Sequence, residues 1–345
     1  MPTIEASRPH PTIARPALSR RHLLALLGAA GVAARVGPAM AAPAVEKSVK
    51  VAPGLYEIVV STTTNLVHVA SAGSRGGNNA KVLGLDPRTL EVRSTIELGA
   101  DPVFGLAVND TTGTLFGTET RGGRLAAIDL RNGAVKARIA EGEGAHVLRV
   151  VVDEARNRAF VSVFGFREKP SAIWVVDTAT NTIATTITEG LEGGITGLAY
   201  DPAGDRLFAT ALQANEVVEV SLSRRAAVRR FPSGGEGAIN LAFDPAGGRL
   251  FVANQKTGGI AVLNTASGQP IKAIETGAGA LGITLSGDGA LAYVANRGAG
   301  TVSVVDARNL TVTANLETGT HPNTVAVDRR SGLAYATNKA RTAPR

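Results

Sequence analysis

The sequence predicts an all-β fold, a seven-bladed β-propeller of four-stranded blades, on three observations. An apolar kernel recurs seven times, its copies are spaced 42 to 48 residues apart, and each is bracketed by residues that turn the chain. A period of that size marks a blade, because one such unit cannot bury its apolar face alone and needs neighbours stacked against it. The kernels are centred on His68, Phe116, Phe160, Phe208, Phe251, Tyr293 and Tyr335, with Phe251-Val252-Ala253-Asn254 and Tyr293-Val294-Ala295-Asn296 as the clearest copies.

Each kernel follows another short apolar strand, as in Gly197-Leu198-Ala199-Tyr200-Asp201-Pro202 and Asn240-Leu241-Ala242-Phe243-Asp244-Pro245. Pro presets φ and a nearby Gly tolerates positive φ, so the two strands form a hairpin. A third strand alternates and closes on Asp or a polar substitute in the first six repeats, at Leu85-Asp86, Ile128-Asp129, Val176-Asp177, Val220-Ser221, Leu263-Asn264 and Val305-Asp306. A more polar fourth strand, such as Thr311-Val312-Thr313-Ala314-Asn315-Leu316, completes the blade. Only seven residues follow Asn338, so the seventh repeat has no third strand of its own. Residues 45–51 are expected to close the ring as the outer strand of that blade, leaving it one strand short, or to shift inward, since an open strand edge invites aggregation.

The first 41 residues read differently. Arg20-Arg21 precedes an apolar Ala/Leu/Gly run ending near Ala34, and Ala39-Met40-Ala41 follows as an A-x-A site. This is the pattern of a twin-arginine (Tat) signal peptide over 1–41, which implies export to the periplasm, cleavage after Ala41 and one propeller domain over 42–345. The apolar run is too short, and too interrupted by Gly, to persist as a membrane anchor. Most of the formal charge of +7 belongs to this leader: its five arginines against Glu5 leave +3 on the rest, too little to demand nucleic acid or an anionic membrane. The absence of cysteine excludes disulfides, thiolate metal sites, a nucleophilic thiol and C-x-x-C-H haem attachment.

The Tyr/Phe-Val-Ala/Thr-Asn kernel followed by a V-x-V-[VI]-D strand resembles the YVTN β-propeller repeat. Other segments, Gly54-Leu55-Tyr56-Glu57, Val69-Ala70-Ser71-Ala72-Gly73-Ser74-Arg75, Ile173-Trp174-Val175-Val176-Asp177 and Thr320-His321-Pro322-Asn323, are similar to the YncE family in particular. The resemblance implies a periplasmic seven-bladed propeller and carries no settled enzymatic activity with it.

Polar residues at or just before the innermost strands are the candidates for a site, because the central channel opens there: Arg75, His146, Arg149, Asn240, His321 and Asn323. His146 and Arg149 stand where neighbouring repeats carry small or apolar residues, and His321 and Asn323 take the same place in the last repeat. A histidine there could act as a base or metal ligand, while the blander role is hydrogen bonding to loop backbone and water. His68, Trp174, Asn254, Asn296 and Asn338 read as packing or turn residues. A lactonase-type cation site would draw on Glu57, Glu119, Glu192, Asn240 and Asn323, but no spacing makes them converge. There is no G-x-S-x-G elbow and no phosphate-binding G-x-x-x-x-G-K-[ST] loop. The pairs Arg224-Arg225, Arg229-Arg230 and Arg329-Arg330 could support weak single-stranded nucleic-acid binding, although 4% aromatic residues leave few stacking platforms. The expectation is a monomeric, non-enzymatic scaffold, with no cofactor or metal, that takes a small anionic ligand or a protein partner through a polar funnel. A propeller hydrolase of the lactonase type and weak nucleic-acid binding are the alternatives.

Overall fold

The computed structural model describes residues 42–74, 76–165 and 169–339. The leader and Arg75 therefore lie outside the described residues. Blade 1 comprises β1 (Leu55–Ser61), β2 (Leu66–Ser71), β3 (Ala80–Leu85) and β4 (Val92–Gly99), and blade 2 comprises β5 (Leu106–Asn109), β6 (Thr114–Glu119), β7 (Arg124–Asp129) and β8 (Val135–Ile139). Blade 3 holds β9 (His146–Asp153), β10 (Arg158–Phe164), β11 (Ala172–Asp177) and β12 (Thr182–Ile187). Blade 4 holds β13 (Ile195–Asp201), β14 (Arg206–Ala211), β15 (Glu216–Ser221) and β16 (Ala226–Pro232). Blade 5 runs through β17 (Ala238–Asp244), β18 (Arg249–Asn254), β19 (Gly259–Asn264) and β20 (Pro270–Glu275), and blade 6 through β21 (Ala280–Leu285), β22 (Leu291–Asn296), β23 (Thr301–Asp306) and β24 (Thr311–Glu317). A hairpin of β25 (Pro322–Val327) and β26 (Ala334–Asn338) ends the series.

Each of the six sheets is an antiparallel meander in chain order, and the hairpin forms a two-stranded sheet. The innermost strands β1, β5, β9, β13, β17, β21 and β25 touch in turn, and β25 meets β1, so the ring closes. The structure therefore has six four-stranded blades rather than seven, with the hairpin holding the seventh position.

Residues 45–51 form no strand, which corrects the expected closure by an N-terminal strand. An outermost strand needs a third strand to pair with, and the hairpin supplies two. The segment is held on blade 1 instead: Lys47 Nζ donates to the Thr89 carbonyl at 2.6 Å, and Val51 and Ala52 pack against the cluster around Ile58 and Leu83. Val45 and Val49 stay exposed.

The core lies between blades, on both faces of the middle strands. β6 and β14 are buried along nearly their whole length, whereas β24 alternates exposed and half-buried residues, as expected of a rim strand. The residue just before the second strand adopts a left-handed conformation at Asn65, Gly113, Asn157, Asp205 and Gly248, which is why Asn, Asp and Gly recur there.

Blades 3, 4 and 5 share a further device. The Asp ending the first strand pairs with the Arg opening the second: Asp153 with Arg158 at 2.7 Å, Asp201 with Arg206 at 2.9 Å and Asp244 with Arg249 at 2.7 Å. Each guanidinium also lies over the kernel phenylalanine two residues on, at 5.3 Å from Phe160, 4.9 Å from Phe208 and 5.4 Å from Phe251. The hydroxyl at the kernel's fourth position then reaches the next blade. Thr118 Oγ1 donates to Leu148 O at 2.8 Å and Ser162 Oγ to Thr196 O at 2.6 Å; Thr337 Oγ1 donates to Tyr56 O at 2.5 Å, so the ring closes with the bond used within it.

Candidate functional site

Six of the seven innermost strands shift register close to their start. Two residues oppose one at Tyr56 and Glu57, at Leu148 and Arg149, at Thr196 and Gly197, and at Asn323 and Thr324, while Ile239 and Leu281 are single insertions ahead of Asn240 and Gly282. In blade 2 the same place is taken by Phe104 and Gly105, which both bond Thr118. A β-bulge re-aims side chains, and here it sets two series of residues near the start of the innermost strands.

The first set is mostly apolar: Tyr56, Phe104, Leu148, Ile239 and Leu281 are half-buried, whereas Thr196 and Asn323 are buried. The Tyr56 and Phe104 rings meet edge to face at 4.7 Å. The second set alternates side chain with glycine: Glu57, Gly105, Arg149, Gly197, Asn240, Gly282, Thr324. The glycines sit where the next blade approaches most closely. A Cβ at Gly105 would stand 2.5 Å from Leu148 O, one at Gly197 would stand 2.7 Å from Asn240 Cα, and one at Gly282 would stand 2.5 Å from Asn323 O.

Cations gather around this collar. Arg149 pairs with the buried Glu57 across blade 2, where Gly105 offers no side chain to obstruct the pair. Arg297, in the turn after β22, donates to Asn323 Oδ1. Burial pushes the Arg297 guanidinium down from its usual value. Lys339, just after β26, contacts the Tyr56 hydroxyl and lies over its ring at 4.3 Å, and Arg121 lies over the Phe104 ring at 5.5 Å. The Nε atoms of both Arg149 and Arg297 are buried without a partner among the described residues. Glu57 is the one carboxylate among the bulge residues, and Arg149 already engages it.

Of the sequence candidates, Arg149, Asn240 and Asn323 belong to the bulges. Asn240 Oδ1 accepts from Leu241 N at 2.9 Å. His146 opens β9 on the exposed side, packed edge-on against Phe164 at 6.0 Å, and burial lowers its pKa. His321 lies three residues before the second-set position of its repeat, as His146 does, but Asn323 aligns with Leu148 rather than with Arg149. The equivalents of His321 in four repeats are Gly54, Gly194, Gly237 and Gly279, all left-handed, and His321 itself adopts φ 55°. A β-carbon in that region costs about 1 kcal/mol.

The five oxygen donors considered for a cation are occupied apart from one another. Glu119 is held between Arg124 and Arg138, and Glu192 lies 3.6 Å from Arg230; Glu57 and Asn323 serve Arg149 and Arg297. The basic pairs are partly spent as well. Arg229 bonds Glu219 and the carbonyls of Thr265 and Ala266, and Arg230 bonds Glu216 and the Gly190 carbonyl.

No protein-family model matches the chain. The protein YncE of Escherichia coli K12 is 35% identical over 169 residues, 46% of this chain and 46% of that protein. YncE of Escherichia coli O157:H7 and of Salmonella typhi are 34% identical over 194 residues, 54% of this chain and 53% of theirs. The chain is thus similar to YncE over about half its length, and its fold is a β-propeller. The chain spans about half the length of the curated relatives it matches. A hydrazine synthase structure from Kuenenia stuttgartiensis overlays with a TM-score of 0.70 at 16% identity, covering 85% of this chain and 95% of that one, and it supports the fold alone.

Arg121, Arg297 and Lys339 are the cations beside this collar that sequence reasoning missed. For two of them the signal was present: Asn296-Arg297 and Asn338-Lys339 each place a cation directly after the kernel asparagine that ends the second strand.

Proposed function

We propose that this chain is an exported scaffold that binds a small anion at the mouth of its central channel, with no chemical step performed on it. The observation that carries this reading is the set of cations Arg121, Arg149, Arg297 and Lys339 around a collar whose one carboxylate is already paired. A partly buried guanidinium without an anion is costly, and a bound anion relieves that cost and supplies the partner its Nε lacks. The leader over 1–41, delivery to the periplasm, a monomeric state and a single propeller domain over 42–345 complete the proposal.

Isothermal titration of the purified mature chain with sodium acetate and with inorganic phosphate tests the reading. Saturable binding that Arg297→Ala weakens at least about ten-fold, with thermal stability retained, supports it. If neither anion binds the wild-type chain, the mouth is not an anion site.

A further inference from the structure

We infer that the anion taken at this mouth is amphipathic, a carboxylate joined to an apolar body about the size of one ring, an inference that rests on the anion-binding reading above. The first-set bulge residues carry it. In five repeats they are aromatic or aliphatic and stay half-buried, and two of them, Tyr56 and Phe104, lie directly under cations. A site for a hydrated inorganic ion gains nothing from such a collar, because water and polar donors would serve it better, whereas apolar surface left half-open at a concave mouth gains from covering.

The geometry of the cations agrees. Lys339 and Arg121 rest on the faces of Tyr56 and Phe104, so apolar surface and positive charge meet within a few ångströms. A ligand reaching the charge must lie along the rings. Arg149 shows which anion the rim accepts: it holds the Glu57 carboxylate, a planar two-oxygen group. The buried, unpartnered Nε of Arg297 has the same chemistry without an internal carboxylate to fill it. The head of the ligand is therefore assigned to Arg297 and its body to the collar, of which Leu281, one residue before Gly282, is the member contributed by Arg297's own blade.

The test is titration of the full mature chain with phenylacetate, acetate and phenol, which separate head from body. Phenylacetate should bind at least about ten-fold more tightly than acetate, as expected from covering one face of a ring, and phenol should bind more weakly than phenylacetate by a similar factor. Leu281→Asn should bring phenylacetate down to the level of acetate and leave acetate unchanged, while Arg297→Ala should weaken both acids. Equal affinity for phenylacetate and acetate would overturn the inference and leave the anion site standing. Phenol binding as tightly as phenylacetate would overturn it too, and failure of every acid to bind would remove the anion site itself.

Discussion

Blades 3 to 5 and the junction between the terminal hairpin and blade 1 solve the same packing problem with different parts. In the first region an Asp–Arg–Phe staple recurs without variation, and each arginine is fixed by a carboxylate and a ring. At the junction no staple exists among the described residues. Tyr335 instead donates its hydroxyl to Pro87 O at 2.9 Å, and Thr324 and Thr337 both bond Tyr56 O. Blade 1 also replaces the kernel aromatic with His68, buried and bonded to Thr64 at 2.9 Å, with its Nδ1 unpartnered. The difference teaches that a blade needs a filled kernel and a bond to its neighbour, and that stapling the turn carboxylate to an arginine over the kernel ring is an addition; the hairpin turn keeps only an Arg330–Asp328 pair at 3.4 Å.

The largest effect expected from breaking this contrast lies at His68. Burial lowers its pKa to about 4 from 6.5, so the unfolded chain takes up a proton below pH 6.5 while the folded chain does not until near pH 4. Stability is therefore full above pH 6.5 and falls through that window by about 3 kcal/mol. Denaturant titrations at pH 7 and pH 4.5 should show His68→Phe, which restores the kernel residue of blades 2 to 5, losing distinctly less stability than the wild type. Equal losses would show that the ring is not held neutral.

Next in size is Arg206→Ala in blade 4. It strips Asp201 of its charge partner and leaves Glu219 to Arg229 alone. Because Arg206 is partly solvent-exposed, about 2 kcal/mol is expected rather than the full cost of a buried charge left unpaired, and a melting curve should register it. At the junction, Tyr335→Phe removes one hydroxyl and leaves the packing against Ile58 and Leu83, so about 1 kcal/mol should be lost. A loss equal to that of Arg206→Ala would mean the junction is as tightly specified as the stapled blades. The smallest effect has the opposite sign: His321→Gly should raise the melting temperature by up to the equivalent of about 1 kcal/mol, since glycine accepts the left-handed backbone that four other repeats already give it.

The blades were legible because alternation and turn residues recur seven times, and Phe116, Phe160, Phe208 and Phe251 sit fully buried where the kernels placed them. The staples were legible too, as an Asp and an Arg five residues apart across each turn, yet they pass unnoticed when Arg is read only for binding. The register shifts could not be read. A bulge adds one residue without altering the composition of its strand, so Asn323 reads as the counterpart of Arg149 when it is the counterpart of Leu148. For the same reason Glu57 reads as a metal donor, although its partner is an arginine 92 positions away in the chain.

The alternation of side chain and glycine around the ring of inner strands has a consequence set by parity. Large and small can alternate without fault only around an even ring, and this ring has an odd number of inner strands. Two side-chain-bearing positions must therefore be neighbours somewhere, and the mismatch falls between Thr324 and Glu57. There the chain uses a short branched residue whose hydroxyl is tied to Tyr56 O at 2.9 Å. The frustration that an odd ring cannot avoid is thus confined to one junction, the place where the two ends of the repeat array meet.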